Sequence, residues 1–342
     1  MSETQPTIDE WRDLYDAAIR VKEIAPWEWM TETEVFGVQN LETDEIGFVS
    51  VMGLLGEHRA LAVYLGAEGL YSFWSFEQVA DTAPPEQLLE LPHLQASFED
   101  RSQLSQKDRD VIKELALKFR GRQAWPMFRG YRRGFFPWYL ESAECRFLAH
   151  ALEQAAEVSL RLKDNPAMLD IPDDESYLVR VPLKENGTMA WKDQVLPIPV
   201  PESKPIPITM DIEALEHMKP VPLSDRTVEV DLFIVPMAVG DGKTRPCVPR
   251  VLLAVDSESE LVVVCELLTP RPSLEQMWGS VALVLIRQFV RAGLVPRHLR
   301  VRSDLLVEAL NPLVENLGID IEYAEALRSL DRALHSLLKH LL

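Results

Sequence analysis

The chain has 342 residues, of which 47% are hydrophobic and 26% charged, with a formal net charge of −19. That length gives room for about two domains, and the composition excludes disordered, collagen-like and coiled-coil classes. The acidic balance excludes broad polyanion binding over the whole surface, because like charges repel.

Residues 8–24 read as an amphipathic helix. Ile8, Trp11, Leu14, Tyr15, Ala18, Ile19 and Val21 recur at three- and four-residue spacings. Thr7 and Glu10 form a capping box at its start and Pro26 ends it. Three β-type runs follow at 35–38, 46–52 and 60–65, an antiparallel meander. A helix is expected over 66–79, a strand over 94–98, a helix over 106–119 and a long helix over 141–162. These elements predict an α+β domain over residues 1–165, its sheet partly covered by helices. Residues 166–226 read as a proline-rich connecting segment, with edge strands at 177–183 and 189–196 about an Asn186-Gly187 turn and a short helix at 211–218. From 227 to 342 the order is clearer: β-runs at 228–239, 250–255 and 261–268, then a Ser273-capped helix to Ala292. A strand at 299–301, a helix at 305–317, a strand at 319–323 and an amphipathic helix at 324–341 complete it. The expectation is an α/β domain with a mixed five-stranded sheet in the order β-β-β-α-β-α-β-α.

No apolar run reaches the ~18–20 residues of a membrane span, and residues 1–6 have no signal-peptide pattern. Cys145, Cys247 and Cys265 are too few and too scattered for a disulfide framework or a zinc site. A cytoplasmic protein without a membrane partner is expected. Gly53-Leu54-Leu55-Gly56-Glu57 lacks the order of a phosphate-binding P-loop. The seven histidines contain neither HxxxH nor HExxH, and surface or cap roles suit them.

The charge is uneven. Residues 1–100 hold 20 acids and 4 bases, whereas residues 101–133 hold 3 acids and 10 bases. Between Glu114 and Glu141 there is no acid. Lys118, Arg120, Arg122, Arg129, Arg132 and Arg133 alternate there with Phe119, Trp125, Phe128 and Tyr131. Arginine forks match phosphate or carboxylate, and aromatic faces stack bases or cations. Arg120, Arg122, Arg129, Arg132, Arg133, Trp125 and Tyr131 are therefore the candidate contact residues, for an unknown protein or a phosphate-bearing ligand, with nucleic acid less favoured. The competing reading is that these arginines neutralise the chain's own acids.

Two resemblances rest on particular residues. The C-terminal order, with Asp231 on its first strand, Asp304 just after its fourth and Glu325 at its last helix, resembles the ribonuclease H-like superfamily that includes transposases and integrases. The resemblance implies catalytic Asp231, Asp304 and Glu325, with Asp256 as a possible addition. It implies Mg²⁺ or Mn²⁺ on Asp231 and Asp304, and a metal-dependent nuclease or phosphodiesterase activity. Leu305 stands where glycine or asparagine usually follows the second acid, and 21 residues separate Asp304 from Glu325, fewer than usual. These departures imply a degenerate, non-catalytic domain that needs no cofactor. The whole chain also resembles a bacterial family of paired domains of unknown function. The marks are Glu10-Trp11, Leu14-Tyr15, Pro26-Trp27-Glu28-Trp29-Met30, Val35-Phe36-Gly37-Val38, Leu253-Ala254-Val255-Asp256-Ser257 and Leu299-Arg300-Val301-Arg302.

The expected function is accordingly a binding or interaction module. A metal-dependent nuclease is the alternative, and a homodimer seam along the C-terminal helix is a further possibility.

Overall fold

The computed structural model describes residues 4–56, 58–80, 85–171, 175–185, 188–202, 205–235 and 237–341. They divide into two compact units, Met1–Arg133 with Pro137–Glu202, and Gly134–Phe136 with Ser203–Leu342. Both are mixed α/β, built on sheets of seven and five strands. No helix among the described residues is long and apolar enough to cross a membrane.

The first unit opens with α1 (Ile8–Ile24). The Thr7 hydroxyl accepts from the Glu10 amide and the Glu10 carboxylate accepts from the Thr7 amide, the expected capping box. Ala25 then turns left-handed ahead of Pro26. β1 (Phe36–Gln39), β2 (Ile46–Met52) and β3 (Ala60–Leu65) form the expected antiparallel meander. After α2 (Gly66–Glu77), β4 (His93–Glu99) extends it, and α3 (Gln106–Glu114) follows. That helix stops five residues short of expectation. Ala116 adopts a left-handed φ of 57°, and the Leu117 amide donates back to the Ile112 carbonyl, 3.0 Å. Lys118, Arg120 and Arg122 thereby lie on a loop.

β5 (Trp125–Tyr131) is a strand the sequence pattern hides, since Pro126 and Gly130 both disfavour strands. It sits at the sheet edge, where proline is tolerated. Phe98, opposite Pro126, donates its amide to Arg59 on the far side, so that pair exchanges no ladder bonds and the missing N–H costs nothing. α4 (Ser142–Asp164) crosses the sheet beside α1. β6 (Ser176–Glu185) and β7 (Thr188–Pro197) form a hairpin, and the expected Asn186-Gly187 turn lies outside the described residues. The hairpin is no separate connection: β6 pairs in parallel with β1, and the sheet order is β5-β4-β3-β2-β1-β6-β7. α1 and α4 bury one face of it, with Phe36, Val49, Leu61, Leu94 and Phe128 beneath Leu14, Leu148 and Leu152. α2 covers part of the other, against Phe48, Ala62 and Tyr64.

In the second unit, α5 (Ile212–Met218) is capped by Asp211. β8 (Leu223–Ile234), β9 (Arg250–Asp256) and β10 (Val262–Leu268) are antiparallel neighbours. The expected single helix after Ser273 is two, α6 (Leu274–Gly279) and α7 (Val281–Ala292). β11 (Val295–Val301), α8 (Asp304–Leu317), β12 (Asp320–Tyr323) and α9 (Arg328–Leu341) complete the unit. β11 runs parallel to β8, β12 runs parallel to β11, and the order is β10-β9-β8-β11-β12. Val228, Val230 and Leu299 pack under α7 and α8 on one face. The other face carries Leu253 and Val255 against Leu327, just ahead of α9, and Leu330 of α9.

Candidate functional site

Strand alternation points Glu229, Asp231 and Phe233 of β8 away from the α7–α8 core. Each acid there is already engaged. Glu229 accepts the Leu330 amide at the start of α9, 2.8 Å, a position where the helix dipole favours a negative charge. Asp231 accepts from Nε of Arg302, which follows β11 directly. Arg302 Nη1 also donates to Asp331 of α9 at 2.9 Å, and its guanidinium lies 5.4 Å from the Phe233 ring centre. Burial pulls the Arg302 pKa down, but the two carboxylates outweigh it and raise it. Asp256 ends β9 and holds the turn after it, accepting the Ser259 and Glu258 amides at 2.8 and 3.1 Å and Arg226 at 3.1 Å. Burial raises its pKa, and these donors bring it below the ordinary carboxylate value.

Asp304 and Glu325 are exposed. Asp304 is the first residue of α8, and Ser303, not Asp304, occupies the cap position. The structure brings Asp231 to Arg302, whose guanidinium also reaches Asp331. Among the described residues no group of three or more His, Cys, Asp or Glu side chains is placed to hold a metal ion. Beside Asp231 stands the Arg302 guanidinium, where a cation would meet that carboxylate.

The arginine island divides in two. Arg129 makes a two-pronged pair with Asp108 of α3, at 2.9 and 2.7 Å, and lies 4.8 Å from the Tyr139 ring centre. Burial raises the Asp108 pKa, and Arg129 with the Ser105 cap holds it low. Arg132 pairs with Glu141 and Glu144, and Arg133 with Glu68 at 3.0 Å. These three neutralise the unit's own acids. Arg120 and Arg122, with Lys118, are exposed and make no ion pair among the described residues. Trp125 and Tyr131 are half-buried. The Arg101 guanidinium lies 5.7 Å from the Trp125 ring centre, and Tyr131 stacks on His93 at 4.0 Å. Burial pushes the His93 pKa down to about 4, and its Nδ1 is 2.8 Å from the Leu91 carbonyl oxygen.

Sequence reasoning missed the residues that surround the free cations. Lys22 of α1 donates to the Ala124 carbonyl at 3.1 Å, Arg59 lies 5.8 Å from the Trp27 ring centre, and Gln123 donates to the Gly56 carbonyl at 3.4 Å. The only sequence mark of that convergence is Gly53-Leu54-Leu55-Gly56, apolar where a hairpin connection is normally polar. In the second unit, a groove of about 570 Å³ runs beside α9 between Leu253, Val262, Cys265, Ala333 and Leu337. Leu327, just ahead of α9, and Leu330 on it are buried on the sheet, with Leu334 and Leu337 packed beside them.

Residues 11–180 match the family model described as Domain of unknown function (DUF7309), and residues 214–338 match Domain of unknown function (DUF6930). No curated protein matches the chain. The two matches fall on the two sheets in turn, a DUF7309 match followed by a DUF6930 match, as in an uncharacterised two-domain family.

Proposed function

We propose that the protein is a non-catalytic binding module. Its second unit is a degenerate ribonuclease H-like domain, and its first unit supplies the contact surface. The observation that carries the reading is Arg302, whose guanidinium joins Asp231 on the first strand of the sheet to Asp331 on the last helix. The sheet order supports the resemblance, with three antiparallel strands followed by two parallel ones on the far side of the first. In an enzyme of that kind, divalent cations would meet the carboxylates that here meet a fixed organic cation. The contact surface is the free part of the island, Lys118, Arg120 and Arg122, and the ligand is anionic and phosphate-bearing.

Two measurements test the reading. A metal site at 100-fold excess of ligand over Kd stabilises by about 2.7 kcal/mol, or roughly 5–10 °C in a unit of this size. The expected result with Mn²⁺ is no shift. A shift of that size, lost in Asp304→Asn, would replace the module with a metal-dependent phosphodiesterase. On immobilised heparin at low salt, the wild type is retained and Arg120→Glu/Arg122→Glu is not. A chain of net charge −19 has no other reason to bind a sulfated polymer, and equal elution of the two proteins would remove the contact surface.

A further inference from the structure

The connection between β2 and β3 turns back on itself at Gly53 and Gly56, whose φ values are +125° and +80°. The Gly56 amide donates to the Gly53 carbonyl, 2.8 Å. The two residues between them are leucines. Leu54 is 51% exposed and Leu55 91% exposed. A single exposed leucine is ordinary, but two in succession at a tip serve neither the turn nor the core.

The tip lies against a loop that carries cations. Gln123 reaches the Gly56 carbonyl and fixes the 115–124 loop against it, while its own amide donates to Asp100 at 2.8 Å. Lys118, Arg120 and Arg122 project from that loop. Lys22 is tied to its end through Ala124 and lies 6.0 Å from the Phe119 ring centre. Burial and the neighbouring Arg59 guanidinium push the Lys22 pKa down. The Arg59 Nε is buried without a hydrogen-bond partner among the described residues. Of the acids at this end, Asp100 accepts from Gln123, Glu99 lies 3.8 Å from His58, and Glu23 is a neighbour of Lys22. In sequence the hairpin itself adds one acid, Glu57. Elsewhere in the unit Arg146 pairs with Glu10 and Glu42, Arg161 with Asp193 and Arg133 with Glu68.

We propose that this end of the first unit docks on an anionic lipid surface, with Leu54 and Leu55 entering the headgroup–acyl boundary and Lys118, Arg120 and Arg122 facing the lipid phosphates. This rests on the contact-surface reading above and names its partner. A peripheral contact needs no membrane span, so the missing span does not weigh against it. Lipid is favoured over nucleic acid because nucleic-acid surfaces stack bases on open aromatic faces. Here the Phe119 and Trp125 rings have Lys22 and Arg101 against them, and the exposed apolar groups are aliphatic. Aliphatic tips gain from an acyl boundary, and basic side chains gain from anionic headgroups.

The test is co-sedimentation of the full chain with vesicles of phosphatidylcholine alone or with 30% phosphatidylserine, at low and at raised salt. Binding is expected only to the mixed vesicles and to weaken with salt. Leu54→Ser/Leu55→Ser weakens it by roughly tenfold or more. Arg120→Glu/Arg122→Glu abolishes it, since each cation contributes about fivefold and the reversal counts twice. All four positions are exposed, and thermal melts matching wild type verify that the variants fold. The leucine variant stays on heparin as wild type does, so the two parts of the surface separate. Three results overturn the lipid assignment: equal partition on both vesicle types, unchanged partition of the leucine variant, or binding to duplex RNA at salt that releases the vesicles. Retention on heparin without vesicle binding sinks the lipid partner and leaves the contact surface; failure on both sinks the two together.

Discussion

Arg302 and Asp231 are joined across the second sheet. The arginine follows the end of β11, the aspartate stands on β8, and the same guanidinium reaches on to Asp331 of α9. One side chain thus ties the first strand of the unit to its last helix. Arg302→Ala strands Asp231, whose side chain is only 10% exposed, without a counter-charge. The expected loss is about 2–3 kcal/mol, less than for a fully buried pair because Arg302 is partly solvated. Denaturant unfolding of a double-mutant cycle checks it: Arg302→Ala with Asp231→Ala should cost less than the two single losses added together. Additive losses would mean that the contact carries no coupling.

Glu10 serves α1 and α4 at once. It closes the capping box with Thr7, accepts from Ser142 at 2.6 Å, and pairs with Arg146. Burial raises its pKa, but these donors outweigh burial and hold it at about 2. A carboxylate depressed on folding contributes stability above its unfolded pKa, which is lost as pH falls through the folded one. The first unit should therefore lose stability between about pH 4.5 and 2. Glu10→Gln should be less stable at pH 7 by roughly 1–2 kcal/mol and should flatten that acid limb in a melting series.

His93 acts in a different window. Its ring is buried against Tyr131, and its pKa falls to about 4. As pH drops below about 6.5 the unfolded chain takes up the proton first. Stability then falls until about pH 4, by up to about 3 kcal/mol, and levels off below. His93→Phe keeps an aromatic ring against Tyr131 and removes the titration. Its denaturation midpoint between pH 6.5 and 4 should change less than that of wild type, and an equal slope would assign the effect elsewhere.

The three thiols separate by burial. Cys145 and Cys247 are buried, and Cys265 is exposed beside the α9 groove. Burial pushes the Cys145 thiol up to about 12, which leaves almost no thiolate at neutral pH. Native protein treated with iodoacetamide should carry one label, at Cys265, and unfolded protein three. A Cys145 adduct on the native chain would mean that α4 opens from α1.

The elements with strong local signals stood out from sequence alone. Thr7 and Glu10 mark α1, and the hydrophobic runs of β2, β9 and β10 mark strands, because capping and periodicity are short-range properties. What escaped depends on neighbours distant in the chain. β5 reads poorly because Pro126 and Gly130 are acceptable only at an edge, and edge position is a property of the whole sheet. The placement of β6 beside β1 is equally invisible to local pattern. For the site, sequence identified the basic island but not its division, since Asp108, Glu144 and Glu68 become partners only in the folded unit. It singled out Asp231, but Arg302 entered only within a family mark and Asp331 not at all, because a cation between two carboxylates has no sequence spacing of its own.

The parallel pairing of β1 with β6 also has a consequence for synthesis. Gly37 meets Val179, so about 140 residues must be made before β1 finds its second neighbour. At 5–20 residues per second that is roughly 7–30 s on the ribosome. During that interval the meander is assembled with one flank bare, and such a flank invites pairing with other chains. A nascent chain released at residue 165, after the long helix but before the hairpin, carries that flank permanently and should collect in the insoluble fraction. A chain released at residue 202 has closed it.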